Sequence, residues 1–130
     1  MKRPHMVVLT LEQALEIHAI VLAETSGAKG LQDLGRLEAA LTAQTQNVFG
    51  EELYKTACEK AAALMRGVIA GHPFVDGNKR TGMLAGLTFL RLNGEHVSAQ
   101  KGDIENFAVK IATDKLDIAA IAAWLAEHCL

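Results

Sequence analysis

The sequence has 130 residues, which fits one domain of ordinary size, and no linker, repeat or low-complexity tract divides it. Half of the residues are apolar and 22% are charged, which excludes a disordered chain. The formal net charge is −2, so no basic field favours unspecific binding to nucleic acid. Charges interrupt every apolar stretch, which excludes a membrane span, and the first residues lack a signal-peptide core. We therefore expect one cytoplasmic domain over residues 1–130, with neither nucleic acid nor membrane as a direct partner.

The helical pattern begins close to the amino end. Alanine and leucine, both strong helix formers, make up 38 residues and favour an all-α fold. Thr10 should begin the first helix with Gln13 as its capping-box partner, and Asp33 should cap the second. Asp103 and Asp117 should cap the last two helices. Apolar residues recur at helical spacing in six segments, which predicts a compact six-helix bundle.

The middle of the chain contains two further helices and one break in the pattern. Residues 44–52 lose the helical pattern and should form an exposed loop or a short hairpin. The third helix is predicted over residues 53–69 and must end before Pro73, because a residue that precedes proline disfavours the α region. The fourth helix should begin at residues 77–78 and end at Gly94, a left-handed cap. Residues 7–9 and 95–98 are candidates for short edge strands.

Cysteine and histidine usage limits the possible metal sites. Cys58 and Cys129 are too few for a disulfide framework or a four-cysteine zinc site, so we expect buried free thiols in a reducing compartment. The five histidines show no His-Glu-x-x-His motif and no pair at the spacing of helical ligands. The sequence therefore argues against a zinc hydrolase.

The segment most informative about chemistry is residues 71–82, a predicted loop and the start of the next helix. It reads Gly-His-Pro-Phe-Val-Asp-Gly-Asn-Lys-Arg-Thr-Gly. Free backbone N–H groups at a helix start bind anions, and Gly77 allows a phosphate to approach the backbone closely. Lys79 and Arg80 place two cations in the first turn, where each opposes the helix dipole at a cost of roughly 0.3–1 kcal/mol. A bound polyphosphate would offset that cost; the alternative is that both side chains only project into water.

Five other residues of this segment have candidate roles. His72 is a candidate general base, because histidine titrates near neutral pH, or else a structural histidine. Asp76 can orient His72, activate a hydroxyl or hold Mg²⁺, unless it only caps the following helix. Asn78 adds an amide donor for phosphate. We expect Phe74 to fill the core beneath the loop and Pro73 to stiffen the exit from the third helix.

The run of residues 72–81 resembles the signature loop of the Fic/Doc superfamily, and within it the Doc branch. The resemblance includes residues 33–41, 49–54 and 90–94, and it extends over about residues 7–128. Fic-branch enzymes, which transfer AMP, have glycine where this chain has Lys79 and a second arginine where it has Met83. Both departures match Doc-type members. The self-inhibitory helix motif that many Fic proteins carry is not found in this sequence.

The resemblance implies an all-α, six-helix Fic/Doc-like bundle that acts as the toxin of a toxin–antitoxin module. A Doc-type toxin is a phosphotransferase, which uses ATP and Mg²⁺ to phosphorylate a threonine of elongation factor Tu and so arrests translation. Carried over to this chain, His72 is the base on the target hydroxyl, and Asp76 assists it or the metal. The residues that then hold the phosphates are Gly77, Asn78, Lys79 and Arg80.

Other interpretations stay open. The same loop can transfer AMP, or the chain can be a non-catalytic family member that only binds a partner, although the intact His72 and Asp76 argue against this. Because no internal brake is found, we expect a small cognate antitoxin, whose amphipathic helix would fill a groove beside the loop. Val48 and Phe49 lie in the segment 44–52, which is a candidate flap that aligns the target peptide by backbone pairing.

Overall fold

The structure, a computed structural model, describes residues 6–130; the first five residues of the predicted domain lie outside this part. The described chain forms six helices: α1 (Leu11–Thr25), α2 (Leu34–Thr42), α3 (Ala57–Ile69), α4 (Asn78–Leu92), α5 (Lys101–Thr113) and α6 (Ile118–His128). Between α2 and α3, strands β1 (Asn47–Val48) and β2 (Glu51–Glu52) pair as an antiparallel hairpin. The prediction of an all-α bundle of six helices with a small hairpin is confirmed. No helix in the described residues combines the length and the apolar character needed to cross a membrane.

Helix α3 lies at the centre of the bundle and contacts α2, α4, α5 and α6. The apolar spacing predicts five inward-facing residues; Ala61, Leu64, Met65 and Val68 are buried, whereas Ala57 at the start of the helix is half-buried. Two glycines of α4 allow it to approach α3 closely: a Cβ at Gly86 would overlap Met65, and one at Gly82 would overlap Ile69. The two helices that the loop joins are therefore closely packed against each other.

The helix starts follow the capping residues with two exceptions. The capping box of Thr10, the cap by Asp33 and the cap by Asp117 are confirmed. The prediction for Asp103 is wrong, because α5 begins at Lys101 after Gln100, and Asp103 lies inside its first turn. An acidic residue in the first turn stabilises a helix through the dipole without being its cap.

The second exception is α3, which begins at Ala57 rather than at residue 53. Thr56 is its cap: its hydroxyl accepts a hydrogen bond from the Glu59 backbone N–H at 3.0 Å, and Glu59 Oε1 accepts from the Thr56 N–H at 3.3 Å. Leu53, at which the sequence predicts the helix to begin, extends the hairpin instead, since its N–H donates to the Gln46 carbonyl at 2.8 Å. The capping box ends the hairpin segment and starts the helix.

Neither predicted edge strand forms. Residues 7–9 pair with no strand, and side-chain amides bond to their backbone instead. Asn93 accepts from the Val7 N–H at 2.7 Å and donates to the Val7 carbonyl at 2.9 Å. Gln44 accepts from the Leu9 N–H at 2.7 Å and donates to its carbonyl at 3.0 Å. The segment 95–98 makes only one isolated bridge, between Val97 and Cys129.

The two cysteines are free thiols, as predicted, but they are half-buried rather than buried. Cys129 directly follows the last residue of α6. The two thiols are neighbours in the fold: burial, with Cys129 beside it, raises the pKa of the Cys58 thiol to about 11. The Cys58 thiol therefore stays protonated at neutral pH.

Candidate active site

The loop between α3 and α4 borders a cavity of about 520 Å³. The end of α1, including Thr25, and Ala112 of α5 also line this cavity. A cavity of this size is typical of a small-molecule site. The structure brings to this one cavity all the residues predicted for catalysis and phosphate binding, namely His72, Asp76, Gly77, Asn78, Lys79 and Arg80.

His72 occupies an unusual backbone conformation at the end of α3. Its N–H still donates to the Val68 carbonyl at 3.0 Å, but its φ of 54° lies in the left-handed region. A residue with a Cβ rarely adopts this conformation, and such strain is concentrated at functional sites. The turn ends the helical course of the chain before Pro73 and leaves His72 exposed at the edge of the cavity.

The loop is held from the side of α2 by backbone pairing. The carbonyl of Pro73 accepts from the N–H groups of Gln32 and Asp33, at 2.7 and 2.9 Å. One residue beyond Phe74, the Val75 N–H donates to the Gly30 carbonyl at 3.0 Å. Pro73 is buried and does not line the cavity, so its position is a structural one.

Asn78 closes the loop on itself. Its Oδ1 accepts from the Phe74 N–H at 3.0 Å, and its Nδ2 donates to the Phe74 carbonyl at 2.9 Å. Asn78 is 4% exposed, and Phe74 is fully buried in the core as the sequence suggests. Because both polar groups of the amide are engaged, these contacts favour a positioning role for Asn78 over a direct contact with phosphate.

The Asp76 carboxylate lies at the amino end of α4. Its Oδ1 accepts from the Gly77 N–H at 2.8 Å, and its Oδ2 accepts from the Ala28 N–H at 3.2 Å. Gly77 precedes the helix with a φ of 79°, and no side chain caps α4. The structure therefore does not support the alternative that Asp76 only caps this helix. The N–H groups of the first turn stay available to an anion.

The two cations of the first turn differ in their surroundings. Lys79 is exposed at the cavity, and none of the salt bridges among the described residues includes it. Arg80 Nη2 lies 3.1 Å from Oε2 of Glu24, which is in the last turn of α1. Both side chains of this pair are about half exposed. Lys79 is thus ready for an anionic ligand, whereas Arg80 already has an internal partner.

His18 is a site residue that sequence reasoning missed. It is 7% exposed on α1, and its Nε2 lies 2.9 Å from the Asp76 carbonyl oxygen. Its ring stacks on Phe74, with the centroids 3.7 Å apart and 10° between the planes. On the sequence, His18 is one member of the inward-facing stripe of α1. The available signal is an imidazole at a buried position, since a buried polar group requires a hydrogen-bond partner.

The predicted flap forms the β1–β2 hairpin but does not line the cavity. Phe49 and Gly50 form the turn with φ values of 52° and 83°, which are typical of a type I′ turn. Phe49 is fully exposed, and Val48 beside it is also exposed. These two residues are therefore exposed to solvent and do not border the cavity beside the loop.

A resident metal site made by the protein alone does not fit this cavity. The described residues contain no group of three or more His, Cys, Asp or Glu side chains that could hold a metal ion. Mg²⁺, however, usually keeps several waters and binds through one or two carboxylates together with substrate phosphates. Asp76, whose carboxylate borders the cavity, fits this second mode.

Comparisons with known proteins agree with this geometry. The sequence model of the Fic/DOC family matches residues 8–90. The chain is 37% identical over 102 residues to the protein named Toxin Doc of Mycolicibacterium smegmatis, covering 77% of this chain and 78% of that protein. It is 30% identical over 111 residues to Protein kinase doc of Escherichia phage P1, covering 85% and 86% respectively. The chain therefore belongs to the Fic/DOC family, on its Doc branch.

Proposed function

We propose that this chain is the toxin of a toxin–antitoxin module and that it transfers the γ-phosphate of ATP to a threonine hydroxyl of elongation factor Tu. The observation that carries this proposal is the cavity, where a candidate base, a carboxylate, two cations and an uncapped helix start meet. The names of the two relatives, one a toxin and one a protein kinase, support it. The reaction would take place in the cytoplasm and arrest translation.

The residues of the loop can divide the reaction between them. His72 accepts the proton of the threonine hydroxyl while the oxygen forms a bond to the γ-phosphorus. The bond from that phosphorus to the bridging oxygen breaks, and ADP leaves. Because His72 is exposed at the edge of the cavity, a side chain of another protein can reach it.

Phosphoryl transfer depends mainly on position and on neutralisation of charge. Lys79, Arg80 and the N–H groups of the first turn of α4 face the phosphates. Mg²⁺, held by Asp76 and the phosphates, would supply further neutralisation when bound. Lys79 favours phosphate transfer over AMP transfer, because it adds a charge where the AMP-transferring branch has glycine.

The hairpin is the element that we propose to align the protein substrate. Asn or Gly is the usual first residue of a type I′ turn, so the exposed Phe49 occupies a backbone conformation that costs stability. The pair Gln46–Leu53 is hydrogen-bonded, so the alternation of an antiparallel ladder places the Val48 N–H toward Glu51. On the β1 edge, the N–H that remains for an added strand is that of Asn47. An extended segment of the substrate would pair there, with Phe49 as an apolar contact.

A small antitoxin is the second partner that we propose. A groove of about 290 Å³ between α4 and α5 has an apolar lining that includes Met83, Leu87 and Ile104, and it shares Arg80 with the loop cavity. An amphipathic helix seated there would reach the phosphate-binding residues. Leu84, which lies half in solvent at this groove, is the position to test. Leu84→Glu should abolish binding of the antitoxin peptide and leave transfer intact, whereas an unchanged complex contradicts this site.

One labelling experiment tests the proposed function. The purified protein is incubated with elongation factor Tu and either γ-labelled or α-labelled ATP, with His72→Ala as the control. We expect the γ label alone on the factor, and at most about a hundredth of that label in the same time with the variant. An α label on the factor would establish AMP transfer instead. No label in either case would favour the non-catalytic alternative.

A further inference from the structure

His18 of α1 contacts the loop between α3 and α4 without lining the cavity. Its Nε2 bonds to the Asp76 carbonyl oxygen at 2.9 Å, and its ring stacks on Phe74 at 3.7 Å. It is 7% exposed and does not line the cavity, so it touches neither phosphate nor protein substrate. We propose that His18 is a positioning residue, which sets the peptide between Asp76 and Gly77; this inference rests on the proposed function.

The hydrogen bond fixes the direction of an N–H group as well as that of a carbonyl. A carbonyl oxygen only accepts, so Nε2 of His18 carries the proton of this bond. The Asp76 carbonyl and the Gly77 N–H belong to one planar peptide unit. That same N–H donates to Oδ1 of Asp76 at 2.8 Å. By holding the carbonyl, His18 therefore orients both the N–H before α4 and the carboxylate bound to it.

The stacking holds the loop at a second point. Phe74, against which the imidazole lies, is the residue whose N–H and carbonyl are both bonded to Asn78. A Cβ on Gly77 would lie 3.8 Å from Cδ2 of His18, so the ring also lies beneath the residue that precedes α4. Residues 74–78 are thus held between one amide of α4 and one imidazole of α1.

The contact does not depend on the protonation state of the imidazole. The neutral form with the proton on Nε2 and the doubly protonated form both donate from Nε2. Replacement by glutamine, whose amide can donate to the same carbonyl, should therefore leave the shape of the pH profile of transfer unchanged. A histidine that took part in proton transfer would alter that profile.

Three variants separate positioning from packing. His18→Phe keeps a flat ring against Phe74 and loses the donor, whereas His18→Gln keeps a donor and loses the ring. His128→Phe is the matched control. His128 also stacks on a ring, that of Trp124 at 3.9 Å, and its Nδ1 lies 2.7 Å from the Trp124 carbonyl. It lies on α6 and does not contact the loop.

For each variant we would measure the dissociation constant of ATP, kcat and KM for elongation factor Tu, the melting temperature, and amide exchange at Gly77 and Asn78. We expect His18→Phe to lower kcat on the order of 10- to 100-fold, because a small misplacement of reacting groups has an effect of this size. KM for the factor should change little, and exchange at the two amides should become faster. His18→Gln should restore most of kcat, and His128→Phe should match the wild type in kcat.

The inference is overturned if His18→Phe keeps the kcat of the wild type. It is also overturned if His128→Phe and His18→Phe lose the same fraction of kcat and the same number of degrees in melting temperature. If His18→Phe does not fold, His18→Asn is compared with His18→Gln in its place. The asparagine side chain is too short for its amide to reach the Asp76 carbonyl. If the wild type transfers no label, the proposed function fails on its own. Amide exchange then tests the positioning role of His18. Unchanged exchange at Gly77 in His18→Phe contradicts this role, and faster exchange supports it.

Discussion

The Lys60 ammonium donates to the Glu52 Oε1 at 2.9 Å and to the Gln44 carbonyl at 2.7 Å, and it thereby joins the two flanks of the hairpin. Lys60 is 2% exposed, whereas the Glu52 side chain is 47% exposed. A buried ammonium requires such partners, because an unpaired charge away from water is very costly. The hairpin is therefore anchored to the Lys60 ammonium, which belongs to the central helix α3.

Lys60→Met should loosen the hairpin without unfolding the bundle. The methionine fills the buried stem but bonds to neither flank, so amide exchange at Leu53 should become about tenfold faster or more, while the amides of α3 and α4 change little. Lys55→Met is the matched control, since Lys55 lies 3.8 Å from Glu51 in a pair whose side chains are both well exposed. Equal exchange at Leu53 in Lys60→Met and in the wild type would refute the anchoring role.

His72→Ala should lower the rate of phosphate transfer about 10²–10⁴-fold, the usual contribution of a general base. Because His72 is exposed, circular dichroism and the affinity for ATP should stay close to those of the wild type. His96→Ala, also at an exposed histidine, is the control and should remain active. A lower melting temperature together with lost helicity in His72→Ala would point to a structural histidine instead.

Glu24→Gln should tighten ATP binding. The substitution removes the charge that pairs with Arg80, so the guanidinium no longer has to leave a carboxylate when it meets a phosphate. Exposed ion pairs contribute about 0–1 kcal/mol, so we expect the dissociation constant to fall up to about fivefold, and less at high salt. Glu16→Gln, at an exposed position of the same helix, should change nothing. Weaker binding in Glu24→Gln would mean that the pair holds Arg80 in its productive position.

Phe49→Ser should raise KM for elongation factor Tu and leave the affinity for ATP unchanged. The ring is fully exposed, so it contributes nothing to the core, and the melting temperature should not fall. Leu130→Ser removes another strongly exposed apolar side chain and serves as the control in steady-state kinetics. If both variants keep the KM of the wild type, the hairpin tip does not contact the substrate.

The Cys58 thiol should make stability depend on pH at the alkaline side. Burial and the neighbouring Cys129 raise its pKa from 9.0 to about 11. A raised pKa in the folded state favours folding below the unfolded value, and this contribution is lost as the pH rises through the folded value. In denaturant titrations, the stability of the wild type relative to Cys58→Ala should therefore be constant below pH 9 and fall between pH 9 and 11. A pH-independent difference would contradict this linkage.

The helices and most of their caps could be predicted because their signals are local. Thr10 with Gln13 and Asp33 with the Arg36 N–H are contacts within one turn, so the residue types and spacing suffice. The same holds for the loop, whose residues 72–80 are contiguous. The start of α3 could also have been read, since Thr56 and Glu59 form a second capping box.

The contacts that organise the site could not be predicted in the same way. His18 meets the Asp76 carbonyl, and Glu24 meets Arg80, only because α1 packs beside α4. No local spacing encodes such pairs. The sequence predicts that the Asn78 amide faces a phosphate, but the loop uses both of its polar groups internally.

The helix that begins at the loop is tied at both of its ends to the amino-terminal third of the chain. At its amino end, His18 donates a hydrogen bond to the carbonyl of the peptide before Gly77. At its carboxyl end, the Asn93 side chain bonds to both the N–H and the carbonyl of Val7. A helix that is hydrogen-bonded to the same part of the chain at both ends resists translation along its axis. We therefore expect that Lys79 and Arg80 adjust to a ligand by changing rotamer, and that the backbone of α4 stays in place through the catalytic cycle.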